Sequence, residues 1–157
     1  MPNKNSIQIC LFLILTWSLI SCGRSTTLIE ECKRVIETDK AFSDYSQEHG
    51  MAESFYKYAS PKAVMLRDNS YPIIGNENIK ALLSSTEKTN HILTWEPQYA
   101  DVSSSRDMAY TYGYYKYITP DSTYRGCYVS IWKKDMHDQW KFVFDAGSSG
   151  LGKEKSE

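Results

Sequence analysis

The feature that most constrains this chain is a series of four strand-like segments in its C-terminal half. They read ILTWEPQYADVS, MAYTYGYYKYI, TYRGCYVSIWKK and QWKFVFDA, and they begin at Ile92, Met108, Thr123 and Gln139. The breaks between them are rich in Ser, Asp or Pro, as hairpin turns require. The pattern therefore predicts a meander of antiparallel strands. Pro97 lies inside the first segment and places that segment at a sheet edge or at a bulge.

Helical patterns occupy the part of the chain before these strands. A first helix is predicted from about Leu28 to Glu48, where His49-Gly50 stops it. Two shorter helices, MAESFYKYA and NENIKALLSS, flank a strand-like run, AVMLRD. Because helices come first and strands follow, the pattern predicts an α+β domain with helices on one side of the antiparallel sheet. We assign residues 28–147 to this domain and residues 148–157 to a polar tail.

Both faces of the predicted sheet carry apolar or aromatic side chains. In CYVSIW, strand alternation places Tyr128 and Trp132 on one face and Cys127, Val129 and Ile131 on the other. The aromatic side chains of WKFVF are all predicted on one face. Helices can cover only one side of the sheet, so the other side is expected to contact a second copy of the chain. The sequence therefore predicts a homodimer formed through the sheet.

The first 21 residues have the features of a signal peptide. Lys4 precedes an apolar run of 14 residues from Ile7 to Ile20, shorter than the roughly 20 residues that span a bilayer. The run ends on LISC, which resembles a bacterial lipobox, in which a signal peptidase cuts before the cysteine and lipids are attached to it. We therefore predict lipidation at Cys22, a tether over residues 22–27, and anchoring in the periplasmic or outer-membrane part of the cell envelope. The alternative is an ordinary signal peptide with an incidental cysteine.

Charge and motif content exclude several classes of function. The net charge is −1 and the Lys and Arg residues are not clustered, so no nucleic-acid partner is predicted. His49, His91 and His137 are too scattered for a metal site, and no G-x-S-x-G, Walker loop or Cys-His pair is present, so no cofactor is predicted. Cys32 and Cys127 are predicted as two buried thiols, and a disulfide between them is the alternative.

One carboxylate falls on the apolar stripe of the first helix. Asp39 lies four residues after Val35 and three before Phe42, so helical geometry turns it toward the core. A buried charge without a partner is very costly, and Asp39 must therefore be hydrogen-bonded, paired or protonated. Tyrosine hydroxyls are the expected donors, because seven of the twelve tyrosines lie between Tyr110 and Tyr128.

The order and spacing of these segments resemble the nuclear transport factor 2-like superfamily, in the branch of the ketosteroid isomerase-like and SnoaL-like proteins. The resemblance covers residues 29–147 and implies a cone, in which one long helix and two shorter ones close over a strongly curved sheet and leave a pocket inside it. No motif in this chain assigns a catalytic role. The segments that carry the resemblance are IETDKAFSDYSQEHGMAESF, PIIGNENIKALL, LTWEPQYADVSSSRDMAYTYGYY and GCYVSIWKKDMHDQWKFVFDAG.

The resemblance also implies where a functional site would lie. Asp39 would face the pocket, and Asp145, at the end of the last strand, would face Asp39 across the pocket mouth, so that repulsion raises one pKa for proton transfer. Alternatively, Asp39 ties the helix to the sheet and Asp145 caps a strand end. Aromatic side chains are expected to line a ligand site, unless they only pack within the strands: Trp95, Tyr110, Tyr112, Tyr114, Tyr128 and Trp132.

Three functions are compatible with these observations. The first is a lipid-anchored pocket protein that binds a small, partly apolar molecule. The second is a cofactor-free isomerase, dehydratase or hydrolase that uses a pocket carboxylate as general base and a tyrosine as acid. The third is a structural or partner-binding module of the cell envelope. The expected fold does not choose among them, because one fold hosts many functions.

Overall fold

The computed structural model describes residues 27–86 and 90–151, which form three helices and one six-stranded sheet. The predicted signal peptide, Cys22 and the end of the tail lie outside the described residues. The helices are α1 (Leu28–His49), α2 (Met51–Tyr58) and α3 (Asn76–Thr86). The strands are β1 (Ala59–Leu66), β2 (Ile73–Ile74), β3 (Ile92–Val102), β4 (Met108–Ile118), β5 (Thr123–Lys134) and β6 (Trp140–Ser149).

The strands lie in the order β2-β1-β6-β5-β4-β3, and the helices pack on one side of the curved sheet. All neighbouring strands are antiparallel except β1 and β6, which are parallel. The predicted α+β architecture is confirmed. None of the three described helices has both the length and the apolar character needed to cross a membrane.

Helix α1 is fixed at its start by a capping box. The Thr27 hydroxyl accepts from the Glu30 backbone N–H at 3.1 Å, and the Glu30 carboxylate accepts from the Thr27 backbone N–H at 2.7 Å. The helix ends at His49 and is capped by Gly50, whose φ of 87° suits glycine. Its buried stripe confirms that Asp39 faces the interior, and consists of Glu31, Val35, Asp39, Phe42, Ser43 and Ser46.

Two of the irregularities in the sheet bear on the side chains that face the helices. Strand β3 lies at the sheet edge, and its register against β4 shifts between Pro97 and Tyr99, so the prediction of an edge or a bulge at Pro97 is confirmed on both counts. Gly113 stands opposite Pro97, where a Cβ atom would collide with the backbone of Glu96. The strands can therefore approach this closely only at a glycine, and bulges of this kind bend and twist a sheet.

The second irregularity decides which side chains of β6 face the helices. The register between β5 and β6 shifts between Ile131 and Trp132: Trp132 pairs with Phe142, but Ile131 pairs with Phe144 and Ser130 with Asp145. The prediction that all the aromatic residues of WKFVF share one face is therefore wrong for Phe144. The bulge also brings Asp145 onto the inner face, beside Ser130.

The interior is solid at the end of the cone where α1 begins, which we call the closed half. Phe42 closes this half toward the rest of the interior, with ring centroids 4.5 Å from Trp95, 5.6 Å from Phe142 and 6.2 Å from Trp132. Beyond this cluster, the fully buried Glu31 carboxylate forms an ion pair with Lys134 at 3.0 Å. These contacts attach the start of α1 to the end of β5.

Strand β6 extends two residues past the predicted domain boundary at Gly147, because Ser148 and Ser149 pair with Cys127 and Gly126. Cys32 and Cys127 are both free thiols. Cys32 is partly buried, but Cys127 is exposed on the outer face of the sheet, so the prediction of two buried thiols is wrong for Cys127. The cross-strand partner of Cys127 on that face is Tyr114.

Candidate functional site

A cavity of about 1060 Å³ occupies the other end of the cone, which we call the open half. It lies between the helices and the inner face of the sheet, where β3 and β5 begin and β4 and β6 end. Its walls are largely apolar, and its floor carries three polar side chains. The walls include Phe55, Met65, Leu83, Leu93 and Trp95, and the floor consists of Tyr128, Ser130 and Asp145. We call the surrounding rim the mouth: Arg67, Asp68, Thr123, Arg125 and Ser149.

Asp145 is the carboxylate of the cavity floor. Its side chain is partly buried and accepts a hydrogen bond of 2.6 Å from the Ser130 hydroxyl. The low polarity of the cavity raises the pKa of Asp145 to about 7, and the charge of Asp39 adds to that rise while the Ser130 bond opposes it. Near neutral pH this group is therefore present in both protonation states, and it can either donate or accept a proton.

Asp39 lies behind the cavity wall. It has no exposed surface, and its two oxygens accept from Trp95 Nε1 at 2.7 Å and from the Tyr128 hydroxyl at 2.8 Å. The Thr111 hydroxyl also bonds to it. Burial raises the pKa of Asp39, and these three hydrogen bonds oppose the rise. Asp39 therefore ties α1 to the sheet, which is the alternative that the sequence left open.

The prediction that Asp39 and Asp145 face each other across the mouth is wrong. Trp95 and Tyr128, which hold Asp39, form the wall and floor of the cavity, and Asp39 itself does not line it. Burial and the adjacent Asp39 carboxylate hold the pKa of Tyr128 well above its usual value. The Tyr128 hydroxyl donates its one hydrogen bond to Asp39. It can therefore only accept a hydrogen bond from a ligand.

Three of the predicted pocket tyrosines lie on the opposite face of the sheet. Tyr110, Tyr112 and Tyr114 are 39%, 45% and 52% exposed, and Tyr99 lies beside the first two with ring centroids 6.1 and 5.7 Å away. The prediction that they line the cavity is wrong, because the register of β4 turns its even-numbered residues outward.

Trp132 is the other predicted pocket residue that the cavity does not include. It is fully buried in the closed half, and its Nε1 donates to the Thr111 hydroxyl at 2.9 Å. Its large ring fills the space beside Phe142, with which it forms an edge-to-face contact at 6.3 Å. Of the six predicted aromatic residues, Trp95 and Tyr128 line the cavity.

Two tyrosines that were not predicted from the sequence as pocket residues also line the cavity, Tyr115 and Tyr117. Tyr117 makes a hydrogen bond of 2.6 Å with His91 Nδ1, and Tyr115 lies against Gly126, where a Cβ atom would collide with its ring. A pattern in β4 marks their orientation. The small residues at positions 109, 111 and 113 lie on the inner face of β4 and make room for α1 and Trp132. Strand alternation places positions 115 and 117 on the same face.

The donor set of the site does not favour a metal. Across residues 27–86 and 90–151, no three His, Cys, Asp or Glu side chains are grouped so as to hold a metal ion. The chemistry available in the cavity is that of one carboxyl group, one serine hydroxyl and tyrosine hydroxyls. These groups can orient a polar atom of a ligand or exchange protons with it.

Comparison with known proteins establishes the fold. No protein-family model matches the chain, and no curated protein matches it in sequence. A nuclear transport factor 2-like protein of unknown function from Shewanella oneidensis MR-1 superposes with a TM-score of 0.63 at 13% identity, over 74% of this chain and 97% of that one. A ketosteroid isomerase-like protein from Erwinia carotovora atroseptica gives a TM-score of 0.63 at 12% identity, over 76% and 96%.

A third solved structure contains a small molecule. It is a protein from Catenulispora acidiphila in complex with S-DNPA, with a TM-score of 0.59 at 11% identity over 74% of this chain and 91% of that one. The chain therefore has the nuclear transport factor 2-like fold, and the resemblance seen in the sequence is confirmed at the level of the fold.

Proposed function

We propose that this chain is a lipid-anchored protein of the bacterial cell envelope whose cavity binds a small, partly apolar molecule. The observation that carries the proposal is the cavity of about 1060 Å³, with apolar walls and a few polar groups at its floor. This is the composition typical of small-molecule sites. The ligand in the similarly folded protein from Catenulispora acidiphila supports the same role.

The floor indicates which end of such a ligand enters first. Ser130 and Asp145 share a hydrogen bond, and the protonated form of Asp145 can donate to a carbonyl or hydroxyl oxygen. Tyr128 can accept from a hydroxyl group of the ligand. We therefore expect a ligand with an apolar body and one neutral polar group at its inner end.

Binding can be tested with the neutral fluorophore N-phenyl-1-naphthylamine and a variant that fills the cavity. Gly147 lines the cavity, whereas Ser148 is exposed and belongs to the opposite face of β6. We expect saturable binding to the wild type, and binding weakened at least about tenfold in Gly147→Leu. Ser148→Leu is the matched control and should bind as the wild type does. Equal affinity in all three proteins would contradict the proposal.

The start of α1 and the cavity mouth lie at opposite ends of the domain. The chain enters α1 at Thr27, and the first turns of α1 contact Lys134 and Asp138 at the closed end. A helix of 22 residues is about 33 Å long, and the mouth lies beyond the other end of the sheet. A lipid on Cys22 would therefore hold the closed end at the membrane and leave the mouth facing away from it.

The anchor can be tested by growing cells with an alkyne-tagged palmitate. We expect the chain to become labelled and to fractionate with membranes. Cys22→Ser should abolish both the label and the membrane association, and a labelled Cys22→Ser chain would contradict lipidation at this cysteine. Cys32→Ser is the matched control and should be labelled as the wild type is.

The proposed homodimer would use the outer face of the sheet. Four tyrosines lie there side by side and are 39–52% exposed: Tyr99, Tyr110, Tyr112 and Tyr114. Tyrosine is favoured at interfaces because it combines an apolar ring with a polar tip. We expect a dimer in analytical ultracentrifugation and a monomer for Tyr112→Ser combined with Tyr114→Ser. A monomeric wild type at all concentrations would contradict this proposal.

A second candidate function is cofactor-free acid–base catalysis, which the pKa of Asp145 favours. A carboxylate with a pKa near 7 is a suitable general base at neutral pH. Tyr115 lines the same cavity, and its ring lies 3.5 Å from the Cβ position of Gly147, two residues after Asp145 on the same face. Asp145 would take a proton from the substrate and Tyr115 would donate one.

This candidate can be tested by following deuterium exchange next to the carbonyl of 2-octanone in D₂O. We expect catalysed exchange whose rate rises with pH through about 7, as Asp145 loses its proton. Asp145→Asn should lower the rate at least about a hundredfold. Tyr112→Phe on the outer face is the control for Tyr115→Phe. Exchange at the buffer rate in the presence of the wild type would contradict catalysis on such ketones.

A further inference from the structure

Three hydrogen-bond donors at the floor of the cavity already donate to carboxylates of the protein. Trp95 Nε1 and the Tyr128 hydroxyl donate to Asp39, at 2.7 and 2.8 Å. The Ser130 hydroxyl donates to Asp145 at 2.6 Å. Each of these donors carries a single hydrogen, so all three hydrogens are used within the protein. Tyr128 and Ser130 therefore offer a ligand an oxygen that accepts.

The donor capacity of Asp145 depends on its protonation. When the carboxyl group is ionised, Asp145 and Ser130 hold one proton between them, and it lies in their mutual hydrogen bond. Protonation adds a second proton, which the pair can donate to a ligand. Both forms are present near neutral pH, because the pKa of Asp145 is about 7. A ligand that only accepts is therefore bound by one form of the floor, whereas a ligand that donates is bound by both.

The charges at the floor also favour the hydrogen end of a polar group. Besides burial, negative charge raises the pKa of both titratable floor groups: Asp39 acts on Asp145, and both carboxylates act on Tyr128. The negative potential of the two carboxylates therefore extends over the floor, and it stabilises a dipole whose hydrogen points inward. An ammonium group would also be attracted, but moving a full charge from water into an apolar cavity is costly.

We propose that the ligand of this cavity is a neutral hydroxyl compound, an alcohol or a phenol, whose O–H group is its inner polar end and donates to the floor. This proposal rests on the proposed binding function and names the class of molecule bound. A hydroxyl group has one hydrogen and two lone pairs, so it can donate to Tyr128 or Asp145 and also accept from protonated Asp145. A ketone or an ether has no such hydrogen and would leave these acceptors unpaired.

Tyr115 lies nearer to the mouth than this group. Its ring is against Gly126 and is 3.5 Å from the Cβ position of Gly147, two residues along β6 from Asp145. It would therefore contact the apolar body of the ligand, and the inner hydroxyl would contact Tyr128, Ser130 and Asp145.

The test compares three probes with the same ring system: 2-naphthol, 2-acetylnaphthalene and 2-(aminomethyl)naphthalene, which is cationic. Their binding to the purified full chain is measured by isothermal titration calorimetry at pH 6 and pH 8. At pH 8 we expect 2-naphthol to bind about tenfold more tightly than either of the others. From pH 6 to pH 8, 2-acetylnaphthalene should weaken at least about threefold, because its carbonyl loses the proton of Asp145, and 2-naphthol should change by less than about twofold.

Asp145→Asn should shift the preference toward the carbonyl compound. The asparagine oxygen can still accept from Ser130, and its amide group offers N–H donors to the cavity at every pH. We expect this variant to bind 2-acetylnaphthalene at least about threefold more tightly than the wild type does at pH 8, with equal affinity at the two pH values. Asp44→Asn, on the exposed side of α1, is the matched control and should bind as the wild type does.

Tyr128→Phe removes one acceptor from the floor. It should weaken 2-naphthol about threefold at both pH values and leave 2-acetylnaphthalene unchanged. Tyr112→Phe on the outer face is the matched control and should change neither affinity. Circular dichroism melting checks that each variant is folded.

The outcomes separate this proposal from the function on which it rests. If 2-acetylnaphthalene or the cationic probe binds at least as tightly as 2-naphthol at pH 8, the proposed ligand class is overturned and the binding function stands. The same holds if Asp145→Asn leaves the preference unchanged, or if N-phenyl-1-naphthylamine binds and none of the three probes does. If N-phenyl-1-naphthylamine does not bind either, both proposals fail.

Discussion

The two halves of the cone use the same kinds of residue to opposite effect. In the closed half, Asp39 is surrounded by three hydrogen-bond partners and tightly packed rings, and it has no exposed surface. In the open half, Asp145 has one partner, Ser130, and borders a cavity. Desolvation raises the pKa of both carboxyl groups. Of these two groups, a ligand can reach only the carboxyl group of Asp145. Whether a ligand can reach a buried carboxyl group thus depends on the space beside it.

Tyr128 marks the boundary between the halves. Its hydroxyl completes the hydrogen bonding of Asp39, and its ring forms part of the cavity floor. A ligand in the cavity would therefore contact Tyr128, whose hydrogen bond to Asp39 is formed without the ligand. Substitutions on either side of Tyr128 should have different consequences, and their effects can be compared directly.

The largest difference is expected for large-to-small substitutions in the two halves. Phe142 is fully buried and stacks on Phe42, so Phe142→Ala should lower the free energy of unfolding by about 4 kcal/mol. Leu93 is partly buried and lines the cavity, so Leu93→Ala should cost only about 1 kcal/mol. Urea unfolding measures both values. Similar costs at the two positions would mean that the open half is packed as tightly as the closed half.

The next effect concerns Asp39. Asp39→Ala leaves Trp95 Nε1 and the Tyr128 hydroxyl without their acceptor, and we expect a loss of about 3 kcal/mol. Asp44 lies on the exposed side of the same helix, so Asp44→Ala is the matched control and should change stability by less than about 0.5 kcal/mol. A loss at Asp39 no larger than that of the control would show that its hydrogen bonds contribute nothing to folding.

The contrast between the halves also shows what could be predicted from the sequence. The bounds of β4 and β5 follow from the turn residues between them, and the inward direction of Asp39 follows from helical spacing. The faces of the strands do not follow so easily, because β4 carries tyrosines on both sides. Its register becomes visible only when the small side chains at positions 109, 111 and 113 are recognised as the helix-facing set.

The face of the sheet on which Asp145 lies could not be predicted by alternating residues along β6. A regular hairpin from Lys133 and Lys141 would pair Ser130 with Phe144 and turn Asp145 to the outer face. The bulge after Phe142 shifts the register by one residue, and nothing in the local composition of β6 reveals it. The cavity itself arises from the balance of side-chain volumes across several elements, which the order of residues in one strand does not determine.

A pH-dependent effect is expected for Asp145→Asn. The pKa of Asp145 in the folded protein is about 7, above its ordinary value of 3.8, so the wild type loses stability as the pH rises from about 4 to about 7. Asparagine stays neutral. The variant should therefore match the wild type near pH 4 and exceed it by about 2 kcal/mol at pH 8, a value reduced for the water that reaches the cavity. A gain that is the same at both pH values would contradict the raised pKa.

The smallest expected effects come from removing single hydroxyl groups. Tyr128→Phe deprives the buried Asp39 of one donor and should cost about 1.5 kcal/mol. Tyr117→Phe removes a hydrogen bond to His91 beside the cavity, where water can replace it, and should cost about 0.5 kcal/mol. Thermal and urea unfolding measure both. If Tyr117→Phe cost more stability than Tyr128→Phe, the stronger hydrogen bond would be the one in the open half, contrary to this expectation.

The two halves differ most directly at Asp145, which borders a cavity of low polarity that solvent and ligands can reach. Its carboxyl carbon can be followed by ¹³C NMR in the full chain between pH 3 and pH 9. We predict that Asp145 titrates with a pKa of about 7 and that its resonance shifts when N-phenyl-1-naphthylamine is added. A titration below about pH 4.5, the range of an ordinary solvated carboxyl group, would contradict the placement of Asp145 in surroundings of low polarity.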